Sequence, residues 1–243
     1  MIENKEFHKY ATKHMGIKEH ELVQHFGFDI TGSMTPYILE EREMRYSQID
    51  IFSRLMADRT IWLSGPVRDS ISVVVQAQLL FLDSLEKKDI ILHVDTPGGS
   101  VKSGLGIVDV MELVKSDIRT INTGMCASMG SVILAAGTKG KRSSLRFSQV
   151  MTHQVSYGAK GVVMDVRITQ KEAEKSNYIL AKMLAQYSNK TFDEYISTVD
   201  RDKWYTSTEA LKFGLIDEVI KTKTSSIDDL LKGFDKYYAK LNK

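Results

Sequence analysis

The sequence predicts an α/β fold built on a parallel sheet with right-handed crossovers. Three observations carry this expectation. Short β-type runs alternate with helix-period runs from Thr60 to Ala136. Gly65-Pro66 and Pro97-Gly98-Gly99 each close a strand. A chain of 243 residues, 42% hydrophobic and 26% charged, suits a soluble protein with one substantial core, or one core with appendages.

Taken in order, Met1 to Ser33 reads as a separate appendage rich in Lys, Glu and His, with Thr31-Gly32-Ser33 as a flexible joint. His8, His14, His20 and His25 lie here, but no i,i+4 pair or HxH spacing joins them, so a solvated, partly helical segment is expected rather than a metal site. Tyr37 to Glu41 is a short strand and Glu40 to Arg45 a charged turn. Asp50 to Met56 is a short helix. Thr60 to Leu63 is a strand, and Ser70 to Leu85 a helix by its apolar spacing. Asp89 to Val94 is a buried strand, Ser103 to Val114 a helix, Ile118 to Thr123 a strand, and Met129 to Ala136 a small-residue helix. Gln149 to His153 is a strand that delivers His153 at its end. Met164 to Tyr187 is a long helix with charge on one face. Ser207 to Phe213 is a helix, Gly214 fits a left-handed position after it, and Leu215 to Val219 is a strand. Ser226 to Leu241 reads as a basic amphipathic surface helix.

The net charge of +2 gives no electrostatic case for nucleic acid or an anionic membrane. The single cysteine, Cys126, cannot form an internal disulfide and fits a reducing compartment; its small-residue surroundings suggest a packing thiol. No apolar run reaches the length of a bilayer span. The first 25 residues lack the apolar centre of a secretory signal and hold too many acids for a mitochondrial presequence. A cytoplasmic setting is the expectation.

The chemistry centres on Met125-Cys126-Ala127-Ser128-Met129-Gly130. Ser128 stands between a β-type run and a helical run, which places its hydroxyl at a strand-to-helix turn beside free N–H groups. A serine hydroxyl is a poor nucleophile at neutral pH. It needs an imidazole to take its proton, and the imidazole needs a carboxylate to hold its tautomer. His153 and Asp202 supply those groups if the fold brings them together. Gly98-Gly99 reads as a turn needing positive φ, where a side chain would also block a peptide backbone lying close by.

Five words occur in order: Pro97-Gly98-Gly99; Ala127-Ser128-Met129-Gly130; Ala135-Ala136-Gly137 with Lys139-Gly140-Lys141-Arg142; Met151-Thr152-His153-Gln154; and Asp200-Arg201-Asp202. From about Pro36 to Ile220 the chain resembles the proteolytic subunit of the Clp protease family. The resemblance implies a crotonase-like α/β fold, with a parallel-sheet head over residues 34–220 and a projecting strand–helix handle at about 154–190. It implies a pro-segment at 1–33, leaves 221–243 as a helical tail, and makes the Glu40 to Arg45 run the loop lining an axial pore. By the same likeness Ser128 is the nucleophile, His153 the general base and Asp202 the orienting carboxylate. Gly99 and Met129 supply oxyanion-hole N–H groups, and Asp200 and Arg201 bond across a ring–ring contact. The implied activity is a self-compartmentalised serine endopeptidase of two stacked homo-heptameric rings. It cleaves unfolded polypeptides threaded in by an AAA+ unfoldase. No metal or organic cofactor is expected in this subunit, ATP being used by the partner, and neither nucleic acid nor membrane is an expected partner.

The sequence departs from the family in three places. The family usually has proline after His-Gln, where this chain has Val155, with a backbone N–H that proline lacks. Leu145-Arg146-Phe147-Ser148-Gln149 replaces the common Leu-Pro-Asn-Ser-Arg. Ile91, His93 and Val108 occupy positions where the family carries tyrosines of its ATPase dock, which reads either as weakened docking or as drift in which Ile91 and Val108 still give an apolar pocket. Two other readings stand beside the peptidase: a divergent structural or regulatory ring subunit, favoured by that altered face, and a crotonase-like acyl-CoA enzyme, disfavoured by the Ser, His and Asp set.

Overall fold

The computed structural model describes residues 37–42, 45–199, 201–221 and 226–241. Its contacts group residues up to Leu55 apart from Met56 onward, and the two units are taken separately. The expected joint at 31–33 and the four N-terminal histidines lie outside the described residues. In the first unit, strands β1 (Tyr37–Arg42) and β2 (Arg45–Asp50) form an antiparallel pair, with Tyr37 opposite Asp50 and Arg42 opposite Arg45. Most of the run expected to be a turn, Glu40 to Arg45, is therefore strand; residues 43–44 are not described. Asp50 starts helix α1 (Ile51–Ala57) by accepting from the Phe52 and Ser53 N–H groups. The hydrogen bonds from Ser53 hold its carboxyl below the usual aspartate value.

The second unit holds the sheet. Its strands are β3 (Thr60–Ser64), β4 (Ile90–Thr96), β5 (Ile118–Ala127), β6 (Arg142–Ser144), β7 (Gln149–Thr152), β8 (Lys203–Thr206) and β9 (Glu218–Val219). The order β3-β4-β5-β6-β9 is parallel throughout. Strand β7 joins β5 in parallel, and β8 runs antiparallel to β7. The helices are α2 (Asp69–Leu85), α3 (Val101–Leu113), α4 (Met129–Ala135), α5 (Val163–Tyr187), α6 (Phe192–Thr198), α7 (Ser207–Phe213), α8 (Ile227–Leu231) and α9 (Phe234–Leu241). The expected tail helix is broken at Lys232-Gly233, where Gly233 takes a positive φ of 90°. Residues 154–160 form no strand, so where a strand of the handle was expected there is an irregular segment leading into α5.

The central strands are apolar because helices cover them. Leu63, Leu92, Val94, Ile107, Ile133 and Leu134 are fully buried, and each such side chain stabilises the fold by about 1.5–3 kcal/mol relative to exposure. Strand β5 is longer than its apolar run suggested. Opposite Asp95 of β4 stand three residues of β5, Thr123, Gly124 and Met125. The Met125 N–H donates to Asp95 Oδ1 at 2.9 Å, and a Cβ on Gly124 would lie 2.6 Å from that oxygen. This bulge needs glycine and re-aims the strand. Residues 120–122 pair with β6, and 125–127 pair instead with β7. Asn122 holds the junction by donating to the Gln149 carbonyl at 3.0 Å.

Arg142 is the largest wholly buried side chain, 1% exposed. Its guanidinium binds Asp217 bidentately at 2.6 and 2.8 Å and donates to the carbonyls of Ala135, Tyr187 and Gly214. One cation thus satisfies carbonyls at the ends of α4, α5 and α7, which would otherwise lack partners. Burial pushes the Asp217 carboxyl up, but the hydrogen bonds and charge of Arg142 outweigh it and hold it below the ordinary 3.8. A depressed carboxyl contributes stability that is present above the unfolded pKa and lost as pH falls through the folded one. Asp217→Asn should therefore cost about 3 kcal/mol at neutral pH, since it leaves a buried charge without its counter-ion. The gap between parent and variant in urea unfolding should narrow below pH 3.8. A gap that stays constant into acid would show that this pair is not the source.

Candidate active site

Strand β5 ends at Ala127, and the next residue, Ser128, has φ 54° and ψ −120°. Non-glycine residues rarely adopt this conformation, and it persists only where neighbours enforce it. Here the Ser128 N–H donates to the Met151 carbonyl of β7 at 2.9 Å, and its own carbonyl accepts from the Ser131 N–H and hydroxyl at 3.0 and 2.7 Å. The turn is thereby pinned from both sides at the end of an interior strand of the sheet. His153 Nε2 lies 2.8 Å from Ser128 Oγ.

The β7–β8 ladder decides what lies behind the imidazole. Its last pair is Thr152 opposite Lys203, so His153 and Asp202 emerge side by side where the ladder ends. His153 Nδ1 stands 3.5 Å from Asp202 Oδ1. The imidazole is 21% exposed and the carboxylate 67%. At that exposure the ion pair adds little to stability; its significance is orientation. Arg201 is exposed beside Asp202, and Asp200 lies outside the described residues.

Gly98 and Gly99 run against this turn. Gly98 has φ 90°, and a Cβ there would lie 2.6 Å from Ser128 Cβ and 2.9 Å from the Met129 nitrogen. Val67 pairs with Gly99 through the Gly98 carbonyl and the Ser100 N–H, at 2.8 Å each, which leaves the Gly99 N–H facing away from Val67. A Cβ on Gly99 would collide with the Val67 carbonyl at 2.3 Å. The Met129 side chain is 2% exposed, packed on Gly104, so only its N–H is at hand for chemistry. Beside Ser128 and His153 opens a cavity of about 250 Å³, lined by Gly99, Val101, Val132, residues 154–156, and Leu180 and Leu184 of α5.

Other expectations resolve here. Cys126 is fully buried, and burial pushes its thiol well above its usual value, so the thiol next to the serine is unreactive packing. Val108 is 1% exposed and belongs to the core; its place on an outer docking face is corrected, because α3 turns that side chain inward. His93 stacks on Trp62 across β3 and β4, ring centroids 4.3 Å apart. Its Nδ1 is buried without a hydrogen-bond partner among the described residues, and burial lowers its pKa. Leu180 and Leu184 were legible as an apolar i,i+4 pair, though nothing in the sequence said which cavity they wall. Among the described residues no helix is long and apolar enough to cross a membrane, and no group of three or more His, Cys, Asp and Glu could hold a metal ion.

A hydroxyl pinned on a strained turn, an imidazole at hydrogen-bond distance and a carboxylate behind it make a site of the serine hydrolase class. The sequence profile of the Clp protease family matches residues 41–223. An ATP-dependent Clp protease proteolytic subunit of Bacteroides fragilis is 47% identical over 219 residues, covering 90% of this chain and 99% of that protein. Proteins of the same description from Porphyromonas gingivalis, 42% identical over 217 residues (89% of this chain, 97% of that protein), and Streptococcus pyogenes, 44% over 191 (77% and 97%), are also similar. The chain belongs to the Clp protease family and is a serine endopeptidase of its proteolytic-subunit type. Its α/β fold with a parallel sheet is the crotonase-like fold expected of that family.

Proposed function

We propose that Ser128, His153 and Asp202 carry out peptide-bond hydrolysis through an acyl-enzyme. The observation that carries this reading is the 2.8 Å approach of His153 Nε2 to Ser128 Oγ. Ser128 Oγ attacks the scissile carbonyl carbon while His153 Nε2 takes its proton. The same proton then passes to the leaving amine as the C–N bond breaks. Water, activated by His153, attacks the ester, and the proton returns to Ser128 as the acid product leaves. Asp202 accepts from Nδ1 and stabilises the imidazolium. Its contact is 3.5 Å in the free chain, and such contacts tighten when substrate excludes water. The Gly99 and Met129 N–H groups receive the oxyanion; each donor of this kind is worth about 2.7–4 kcal/mol of barrier. Every step draws on this chain's own groups, with no metal or organic cofactor.

The family places such subunits in a two-ring particle with a Clp ATPase, and we assign the same assembly here, with 34–220 as the peptidase body, 154–190 as its handle, 1–33 as a pro-segment and 221–243 as a tail. Two features support it. The α2 helix exposes Val73, Val74, Phe81 and Leu85, and the start of α5 exposes Val163, Met164 and Ile168, surfaces that gain by contact with other copies. Arg201 stands exposed one residue from Asp202, so a contact made there by Asp200 and Arg201 would couple the triad to ring stacking. The ATPase dock is altered at Ile91 and His93, which stand where tyrosines anchor such a contact in the family. One sample tests the set: its native mass should be that of a tetradecamer, and it should cleave short peptides readily but degrade a folded tagged protein poorly with an unfoldase and ATP. Tyrosines at 91 and 93 should improve the second activity more than the first. Fast ATP-dependent degradation by the unmodified particle would overturn the weakened dock, and a monomer of full peptidase activity would overturn the assembly.

A further inference from the structure

The segment that follows His153 is held from an unexpected direction. Gln154, Val155 and Ser156 form one part of the wall of the cavity beside Ser128, and Leu180 and Leu184 of α5 form another. Residues 154–160 lie in no strand, so no ladder fixes the first part. The Val155 N–H donates instead to Asn177 Oδ1 of α5 at 2.9 Å. Asn177 lies three residues before Leu180 and seven before Leu184, on the same helix face. It also borders a smaller recess with His153, Gln154 and Tyr195. An asparagine carboxamide has one acceptor end, and this bond turns that end to the wall. The N–H it binds is the group that a proline at position 155 would lack.

We propose that Asn177 is a positioning residue for peptide hydrolysis, setting the spacing between the two parts of the cavity wall through the Val155 N–H. The inference rests on the reading of Ser128 as nucleophile and adds to it a determinant of substrate fit. Asn177 touches neither Ser128 nor the attacking atoms. The hydroxyl–imidazole pair is set separately, by the β5–β7 pairing and the Ser128 N–H to Met151 bond. Loss of the Asn177 bond should therefore loosen substrate binding and leave the chemical step almost intact. That split separates positioning from general destabilisation, which would lower the apparent kcat and leave KM unchanged.

The test is a mutant cycle on the full-length particle, read by peptide kinetics and by labelling with a small fluorophosphonate that does not fill the cavity. Asn177→Ala keeps the fold, since alanine favours helix more than asparagine does. It should raise KM about threefold to tenfold, the usual worth of one such bond, with kcat and the labelling rate unchanged. Asn177→Leu, which keeps the branched shape without an acceptor, should behave like alanine, and Asn177→Asp, which keeps the acceptor, should restore KM. In a Val155→Pro background, where the donor is gone, Asn177→Ala should change KM by less than about twofold, the limit expected of groups that no longer interact. An unchanged KM in Asn177→Ala, or the same rise persisting in the Val155→Pro background, overturns the role of Asn177. Failure of the parent to take the label overturns the nucleophile reading beneath it, so the two failures are distinguishable.

Discussion

Ser128→Ala should lower kcat for peptide hydrolysis by about a millionfold, the scale seen when the nucleophile of a triad is removed. Thermal stability should hold, because the backbone bonds that pin the turn, Ser128 N–H to the Met151 carbonyl and the Ser131 N–H to the Ser128 carbonyl, do not involve the hydroxyl. Alanine tolerates φ 54° no better and no worse than serine, so the strain is unchanged. Peptide turnover within tenfold of the parent would remove Ser128 from the mechanism. A collapse in stability would mean that the hydroxyl serves the fold, which its single side-chain contact with His153 argues against.

Asp202→Asn has the next largest expected effect, a fall in kcat of about 10⁴-fold. The amide offers a donor as well as an acceptor toward Nδ1, which favours the imidazole tautomer that presents N–H rather than a lone pair to Ser128. It also removes the charge that stabilises the imidazolium. Asp202 is 67% exposed and ends no helix, so folding should not suffer. Turnover within tenfold of the parent would exclude Asp202 as the third member.

Much of this site was legible in the residues, and the reasons are local. The β-type run, the serine and the small-residue helix located the nucleophile turn without any tertiary information. The end of the β-type run 149–153 located His153, whereas Asp202 stood out only through the Asp200-Arg201-Asp202 word of the family resemblance. Their approach to each other was not local, since it depends on Thr152 pairing with Lys203, fifty-one positions on, and strand β8 carried no apolar alternation to announce itself. Strand β6 was too short to leave a pattern, and the bulge at Thr123 to Met125 hid the second half of β5. Helix α6 was missed despite a readable signal, the Thr191 to Glu194 capping box that starts it. Arg142 belongs to one of the family words, and only the fold shows it buried against Asp217. Val108 was placed on a surface because a family position was carried over without regard to which side of α3 it faces. Asn177 gave no sign at all: a polar residue at helical spacing looks the same whether it meets solvent or a backbone N–H.

In the proposed mechanism one serine attacks and one histidine activates it. Mass spectrometry of the intact particle after reaction with a fluorophosphonate reads both roles. One adduct per chain is expected, on the peptide containing Ser128, with a rate of labelling that falls by orders of magnitude in His153→Ala. Labelling on another residue, or a His153→Ala variant that labels as fast as the parent, would contradict the mechanism.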